Sequence, residues 1–217
     1  MAIVSGILLS GCAANGLVTP SSNMDNVEFK FTGVPIALGM QGTSVRLNER
    51  WVLTAKHNKF ILFDDLIDHP VCDISVYRDD GELDSPMRAV LPKPGGSVIA
   101  KGYAGWFAIP SEGKGKLVQY VHVSADLDLA TPSCYMASID APLWGGMSGG
   151  GTFTEDGNLV GVNSIIYHDG FVAKEDNVTE IKLQERYSGI VPVCTEQVHS
   201  WLKEVTGESF CEETIKL

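Results

Sequence analysis

The sequence has few basic residues and no run of them. Its 217 residues contain 16 lysines and arginines against 27 aspartates and glutamates, a formal net charge of −11. Because proteins hold nucleic-acid phosphates with clustered lysine and arginine, this deficit argues against a nucleic-acid partner. No internal stretch reaches the roughly 18 consecutive apolar residues that a membrane-spanning helix requires. Neither a nucleic-acid partner nor an internal membrane span is therefore expected.

Signatures of metal sites and of repeat proteins are missing as well. No Cys-x-x-Cys pair and no cluster of histidines and cysteines has the spacing of a metal site. No internal repeat or low-complexity tract occurs. We expect a protein that works without a metal or organic cofactor. At this length it can fold as one large domain or as two small ones.

The first of the five cysteines, Cys12, ends a short apolar stretch at the start of the chain. Residues 1–12 (MAIVSGILLSGC) resemble a bacterial lipoprotein signal, whose final cysteine is acylated and becomes the first mature residue. The alternatives are an ordinary first strand or a plain secretory signal. The resemblance implies export to the bacterial periplasm with lipidation at Cys12, and Ala13 after the cysteine implies outer-membrane anchoring.

The other four cysteines form an even set, as expected of an exported protein: Cys72, Cys134, Cys194 and Cys211. They permit two disulfides in three connectivities. Cys194 and Cys211 flank the expected C-terminal helix and could staple it, which would leave Cys72 and Cys134 to pair. Four buried free thiols are the alternative.

Short β-like segments separated by turn residues occupy most of the chain. The predicted strands are Glu28–Phe31, Gly42–Leu47, Trp51–Thr54, Phe60–Phe63, Ile74–Tyr77, Ser97–Ala100, Lys116–His122, Tyr135–Ile139, Gly151–Phe153, Leu159–Ile166 and Ile190–Pro192. Apolar residues at i, i+3, i+4 and i+7 from Val198 predict one helix near the end. The breaker at residues 92–96 separates two halves. We expect a signal segment at 1–11, an aperiodic linker or lipid tether at 12–26, and one all-β domain at 27–217.

A glycine-rich segment, residues 144–151 (WGGMSGGG), surrounds one serine, Ser148. Five glycines in eight residues cannot build a packed core, but they let backbone N–H groups approach a ligand closely. A serine in such a turn has what acyl transfer requires, a nucleophile beside donors for a developing oxyanion. A flexible surface loop is the alternative for this segment taken alone.

Two segments upstream supply a histidine and an acid. In residues 50–58 (RWVLTAKHN) His57 follows an apolar run, and imidazole is the side chain best suited to exchange protons near neutral pH. Asp73 opens the alternating residues 72–77 (CDISVY), where an unpaired carboxylate would be costly to bury. The chain order His, Asp, Ser is one of the orders in which serine triads occur.

Other acids and histidines compete with these two. Asp64, Asp65 and Asp68 lie on an expected loop, where solvated carboxylates are the usual finding. The remaining histidines, none of which follows a buried strand as His57 does, are His69, His122, His168 and His199. The prediction therefore rests on His57 and Asp73.

These segments resemble the trypsin/chymotrypsin family of serine proteases over roughly residues 29–203. WVLTAKH is similar to the family's Trp-Val-Leu-Thr-Ala-Ala-His box, DISVY to its Asp-Ile-Ala-Leu-Leu box, and GGMSGGG to its Gly-Asp-Ser-Gly-Gly-Pro box. The resemblance implies two six-stranded antiparallel Greek-key barrels with a C-terminal helix. It also implies a serine endopeptidase that acts through an acyl-enzyme.

The resemblance gives each matched residue a role. Ser148 is the expected nucleophile, His57 its general base, and Asp73 the acid that orients His57. The expected oxyanion hole is formed by the N–H groups of Gly146 and Ser148. The residues expected to bind substrate are Ser164, Ile165 and Ile166, which pair with an extended peptide, and Pro142 at the floor of the specificity pocket.

Three departures from the family pattern modify these expectations. Met147 stands where digestive relatives carry an aspartate that pairs with a newly cleaved N-terminal amine, so we expect a site assembled as translated. Deletion of residues 13–24 is accordingly expected to leave activity intact. Pro142 is not an acid, which favours an apolar or small substrate residue over lysine or arginine. Only 16 residues separate His57 from Asp73, so part of a hairpin must be missing.

Two other functions are consistent with parts of this pattern. An inactive relative that serves as a binding module is the main alternative, although such relatives usually lose one of the three triad residues. An esterase is disfavoured because the histidine precedes the serine. We expect a monomer whose partner is a protein or peptide substrate, and which reaches a membrane only through a lipid on Cys12.

Overall fold

The structure, a computed structural model, describes residues 14–34, 38–61, 65–85, 87–105, 107–123, 133–167, 172–174, 180–182, 187–212 and 214. The strands are β1 (Thr19–Pro20), β2 (Val27–Val34), β3 (Leu38–Arg46), β4 (Trp51–Thr54), β5 (Ile67–Asp68), β6 (Ser75–Arg78), β7 (Ser97–Ala104), β8 (Ile109–Val123), β9 (Cys134–Ile139), β10 (Gly151–Phe153), β11 (Leu159–Ile166), β12 (Val172–Lys174), β13 (Glu180–Lys182) and β14 (Ser188–Pro192). A 3-10 helix, Lys56–Phe60, follows β4, and one α-helix, α1 (Glu196–Thr206), follows β14.

The first half of the chain forms a five-stranded antiparallel sheet in the order β2-β3-β4-β6-β5. The apolar strand β4 lies at its centre, and Val52 and Leu53 are fully buried. In the described part of the stretch between His57 and Asp73, the only strand is the two-residue β5. The short separation of these residues therefore leaves no room for a full hairpin.

The second half forms a closed barrel of six antiparallel strands. Its strands follow the order β8-β7-β10-β11-β14-β9, and the pairing of β8 with β9 closes the ring. Closure removes the free edges that an open sheet would expose. The predicted all-β, chymotrypsin-like fold is confirmed, with five strands in the first sheet and six in the closed barrel among the described residues.

The C-terminal helix is also confirmed. The Thr195 side chain caps α1 by accepting the N–H of Val198 at 3.4 Å, and Gly207 ends the helix with a φ of 76°. Its apolar face buries Trp201 and Leu202 against the protein core. In the described ranges, no helix has the length and apolar character needed to cross a membrane.

Two disulfides join Cys72 to Cys134 and Cys194 to Cys211. This is the pairing suggested by the position of Cys194 and Cys211 on either side of α1. Because disulfides persist mainly in oxidising compartments, the two bridges indicate an exported protein.

One predicted strand is wrong. Residues Trp51–Thr54, Gly151–Phe153 and Leu159–Ile166 are strands with the predicted bounds, but the strand predicted over residues 60–63 is not present in its described part. There the chain forms tight turns, because Asn58 N donates to Ala55 O at 2.9 Å and Ile61 N to Asn58 O at 2.8 Å. Residues 62 and 63 lie outside the described ranges.

Residues 14–21, part of the segment 12–26 that we expected to be a linker, pack against the second barrel. Strand β1 pairs with Ser111 and Glu112 of β8, and Ser21 N donates to Pro110 O at 2.9 Å. A two-residue strand is too short to show an alternating pattern, so periodicity could not reveal it. Cys12 and the rest of the expected signal segment lie outside the described residues.

Candidate active site

The His57 and Asp73 side chains are in direct contact. Asp73 Oδ2 lies 2.8 Å from His57 Nδ1, and Asp73 Oδ1 accepts the His57 backbone N–H at 3.0 Å. The pairing of β4 with β6 brings them together, since His57 follows β4 and Asp73 precedes β6. An ionised carboxylate only accepts hydrogen bonds, so Nδ1 carries the donated proton and Nε2 is left for proton exchange.

The Asp73 carboxylate is held in its charged form. Burial by itself raises the pKa of Asp73, but hydrogen bonding and charge interaction with His57, together with a hydrogen bond from Ser164, bring that pKa below its ordinary value. Ser164 Oγ donates to Asp73 Oδ2 at 2.5 Å. An ionised carboxylate at this position can orient the imidazole and stabilise the imidazolium that forms on proton transfer.

The competing acids do not reach His57 in the described structure. Asp65 is exposed, and Asp68 accepts a hydrogen bond from Ser75 Oγ at 2.6 Å within the first sheet. Asp64 lies outside the described residues. Of the expected candidates that the structure describes, Asp73 alone contacts the His57 ring.

The other described histidines have structural surroundings. His69 Nδ1 accepts the backbone N–H of Cys72 at 2.8 Å, and burial lowers the pKa of His69. His122 lies edge-on to the Tyr135 ring, with 4.7 Å between ring centroids. His199 Nε2 lies 3.0 Å from Ser209 Oγ. His168 lies outside the described ranges.

The Ser148 backbone is held by the first half of the chain. Its carbonyl oxygen accepts Thr43 N and Asn58 Nδ2, both at 2.9 Å. Asn58 follows His57 on the 3-10 helix, so one turn positions both the expected base and the expected nucleophile. Among the described residues, no hydrogen bond joins Ser148 Oγ to the His57 ring, as is common in sites that hold no substrate.

The turn around Ser148 leaves two N–H groups available. Gly146 has a φ of 95° and Gly149 a φ of 86°, in the left-handed region that favours glycine. Met147 N donates to Trp144 O, Gly149 N to Asn163 O and Gly150 N to Met147 O. Within residues 146–150, the N–H groups of Gly146 and Ser148 have no acceptor among the described residues. This is the arrangement that an oxyanion hole requires.

Apolar packing and one buried amide support the turn from beneath. Met147 is fully buried among apolar residues of the second barrel, including Val98 and Ala100. Asn163 Nδ2 donates to Lys101 O at 2.9 Å and to Met147 O at 3.3 Å. The loop thus has packing and hydrogen bonds at the position where digestive relatives use an ion pair.

The expected substrate segment has one open edge. Ser164, Ile165 and Ile166 end β11, and β14 pairs with Ile165 and Ile166 along one edge. The pairing with β10 stops at Val162, so no described strand covers the opposite edge beyond it. Such an edge can accept an extended peptide as an added strand. Pro142 is half-buried on the loop that leads to Ser148.

Sequence reasoning missed three residues that hold the nucleophile turn. Asn58 directly follows His57, and that adjacency was the only signal available. Thr43 and Asn163 lie inside strands, where nothing in the spacing distinguishes a polar side chain that bonds another loop from one that faces solvent.

Solved structures of serine proteases resemble this chain in fold. The inactive form of the Rv3671c protease of M. tuberculosis is 15% identical with a TM-score of 0.59, and the match covers 83% of this chain and 88% of that one. The HtrA-type protease AlgW with a tripeptide is 16% identical with a TM-score of 0.59, over 85% of this chain and 62% of AlgW. The MamO protease domain of Magnetospirillum magneticum is 17% identical with a TM-score of 0.52, and the match covers 78% of this chain and 92% of the MamO domain.

These likenesses establish the fold class. The chain has the chymotrypsin-like fold of trypsin-like and HtrA-type serine proteases. At identities of 15–17% the likeness shows the fold and not the activity. No protein-family model matches the sequence, and the search of curated proteins finds no match.

Proposed function

We propose that this protein is a serine endopeptidase that hydrolyses peptide bonds through an acyl-enzyme on Ser148. The observation that carries the proposal is the 2.8 Å contact between His57 Nδ1 and Asp73 Oδ2. It lies next to a turn in which Asn58 ties the Ser148 backbone to the His57 helix at 2.9 Å. The fold shared with serine proteases supports the same reaction class.

In the proposed reaction His57 acts first as base and then as acid. Ser148 Oγ attacks the scissile carbonyl carbon while His57 Nε2 takes its proton, and Asp73 stabilises the imidazolium. The N–H groups of Gly146 and Ser148 donate to the oxyanion. His57 then protonates the leaving amine, and a water molecule activated by the same nitrogen releases the acyl group from Ser148.

The substrate is proposed to be an extended peptide that pairs with the open edge at Ser164–Ile166. Pro142 at the pocket floor offers no negative charge to lysine or arginine, so we expect cleavage after small or apolar residues. A peptide-library profile dominated by basic residues at the cleavage site would contradict this preference.

The proposal includes export and a lipid tether at Cys12. The two disulfides support export, and the tether follows from the resemblance of residues 1–12 to a lipoprotein signal. We propose a monomer with a domain at 27–217. Cell fractionation tests the tether, because Cys12→Ser should move the protein from the membrane fraction to the soluble fraction.

Phosphonate labelling tests the enzymatic activity directly. We expect a fluorophosphonate probe to label wild-type protein covalently at Ser148, as located by peptide mass spectrometry, and to leave Ser148→Ala unlabelled. His57→Ala should slow labelling by about 10⁴-fold or more, since the triad acts as a unit.

The same experiment separates the enzyme from a binding module. A wild-type protein that unfolds cooperatively, takes no label and cleaves no peptide would be an inactive relative, and the proposal would be wrong. Ser148→Ala serves as the matched control for folding and for non-specific labelling.

A further inference from the structure

The Asn15 side chain connects the loop before Ser148 to strand β14. Its side-chain Oδ1 accepts Leu143 N at 2.7 Å, and its backbone N donates to Leu143 O at 3.4 Å. Its Nδ2 donates to Ser188 Oγ at 2.7 Å. Leu143 precedes the nucleophile turn, and Ser188 begins β14. One amide near the start of the described chain therefore joins these two elements.

The neighbours of Asn15 fasten it to the same loop. Ala14 forms a β-bridge with Trp144, and Trp144 Nε1 donates to Gly16 O at 2.7 Å. A side chain at Gly16 would come within 2.9 Å of Pro142 Cβ. We call residues 14–21, which continue into β1 on the second barrel, the N-terminal clip.

Ser188 connects the clip to the substrate side of the site. It is fully buried, its Oγ donates to Ala141 O at 2.9 Å, and it pairs with Ile166 across the sheet. Asn15 thus bridges the loop that carries the nucleophile and the strand behind the proposed substrate edge.

The clip also provides hydrogen-bond partners for the backbone N–H and carbonyl of Leu143, which lies outside the strands. Leu143 is buried, and its N–H and carbonyl both bond to Asn15. A buried amide left without a partner loses its hydrogen bonds to water without replacing them, so loss of Asn15 would favour another loop conformation. The Met147 side chain beside the nucleophile packs among apolar residues and accepts Trp144 N through its sulfur at 3.4 Å, but it carries no charge and does not reach Leu143 N.

We propose that Asn15 is a positioning residue that sets the spacing between residues 141–144 and β14. By this contact it holds the N–H groups of Gly146 and Ser148 in place relative to the substrate edge. The proposal rests on the endopeptidase function proposed above. Because Asn15 lies within residues 13–24, deletion of these residues is expected to impair activity, the reverse of the outcome expected from the sequence alone.

Hydrogen exchange and kinetics of Asn15→Ala test this role. We expect amides in residues 141–148 to exchange at least about 10-fold faster, while amides of the first sheet keep their wild-type rates. The kcat should fall by about 10-fold or more with a smaller change in KM, because a small displacement of the donors weakens transition-state binding.

Two further variants sharpen the test. Asn15→Asp keeps an acceptor for Leu143 N but loses the donor to Ser188, so its exchange and kcat should lie between wild type and Asn15→Ala. The matched control is Thr19→Ala on the same clip, since among the described residues the Thr19 hydroxyl hydrogen-bonds only to Glu112 O on β8, at 3.4 Å. It should behave as wild type in both measurements.

The outcomes separate this proposal from the proposed function. If Asn15→Ala shows wild-type exchange in residues 141–148, or faster exchange spread evenly over the whole chain, Asn15 does not position the loop. If Asn15→Ala does not fold, hydrogen exchange in residues 141–148 of Asn15→Asp decides the question by the same criterion. Exchange does not depend on turnover, so a wild-type protein that takes no phosphonate label would refute the enzyme while faster local exchange still supported the clip.

Discussion

Glycines of positive φ differ in what they require of their surroundings. Gly149, next to Ser148, has a φ of 86°, and a side chain there would overlap the Thr43 carbonyl oxygen and the Thr54 hydroxyl. Gly157, in the turn between β10 and β11, has a φ of 81°, but no atom lies within 4 Å of its would-be Cβ. The two glycines have a similar backbone conformation, and they differ in the space available to a side chain.

We predict that Gly149→Ala lowers the free energy of unfolding by about 3 kcal/mol or more, since strain in the left-handed region adds to overpacking. Gly157→Ala, the matched control, should lower it by about 1–2 kcal/mol from backbone strain alone. Urea denaturation followed by circular dichroism measures both values. Equal losses in the two variants would mean that the close approach of Thr43 does not constrain the turn.

Motifs located the residues that carry the proposed chemistry. His57 and Asp73 were predicted from local sequence, because each follows or opens an apolar strand, and the structure brings their side chains into contact. Ser164 was predicted to bind substrate backbone, which stays a prediction, and the contact of its hydroxyl with Asp73 was not foreseen. Asn15 carried no signal, because an asparagine among small polar residues is typical of linkers as well.

Each disulfide fastens a different element. Cys72 immediately precedes Asp73, and its partner Cys134 begins β9 of the second barrel. Cys194 and Cys211 enclose α1, away from the His57–Asp73 contact in the chain. The residues joined are 62 apart in the first bridge and 17 apart in the second.

We predict that replacing Cys72 and Cys134 by alanine lowers the free energy of unfolding by about 4 kcal/mol, and that the same change at Cys194 and Cys211 costs about 3 kcal/mol. The first pair should also lower kcat, because Asp73 loses the anchor beside it. The second pair should leave kcat unchanged at a temperature where both variants are folded. A fall in kcat only for the Cys194–Cys211 variant would contradict this assignment.

Elements were predicted well where they are long or strongly apolar. Leu159–Ile166 and Trp51–Thr54 are long or buried enough for composition to decide, and their bounds match the structure. The strand β1 spans two residues and the 3-10 helix five, and elements this short carry too little residue pattern to be predicted from the sequence.

The candidate site joins the two halves of the molecule. Thr43 of the first sheet donates its N–H to Ser148 O at 2.9 Å and its Oγ1 to Gly146 O at 2.7 Å. The same hydroxyl accepts Tyr103 N of the second barrel at 3.0 Å. Ser164 of the second barrel reaches back to Asp73. The geometry of the site therefore depends on how the sheet and the barrel pack.

We predict that Thr43→Val lowers the free energy of unfolding by about 1–3 kcal/mol, because the Gly146 carbonyl and the Tyr103 amide lose their partner. The rate of phosphonate labelling at Ser148 should fall by about 10-fold, since the oxyanion donors would no longer be held in place. Thr43→Ser keeps the hydroxyl, so its free energy of unfolding and its labelling rate should stay close to those of the wild type. If Thr43→Val labels as fast as Thr43→Ser, the hydroxyl does not organise the site.

From the amino-acid sequence alone we could predict the fold class, the strand-rich halves and the terminal helix, and could name His57, Asp73 and Ser148 as candidate catalytic residues. These follow from local patterns, because hydrophobic alternation and short motifs are properties of neighbouring residues. The residues that surround the glycine-rich loop became known only from the folded chain. Thr43, Asn58 and Asn163 hold it from other strands and turns, and Asn15 fastens it from a segment that composition marked as a linker. Contacts between residues that are not close neighbours in the sequence leave no periodic trace in it, as the 90-residue separation of Asn58 and Ser148 illustrates.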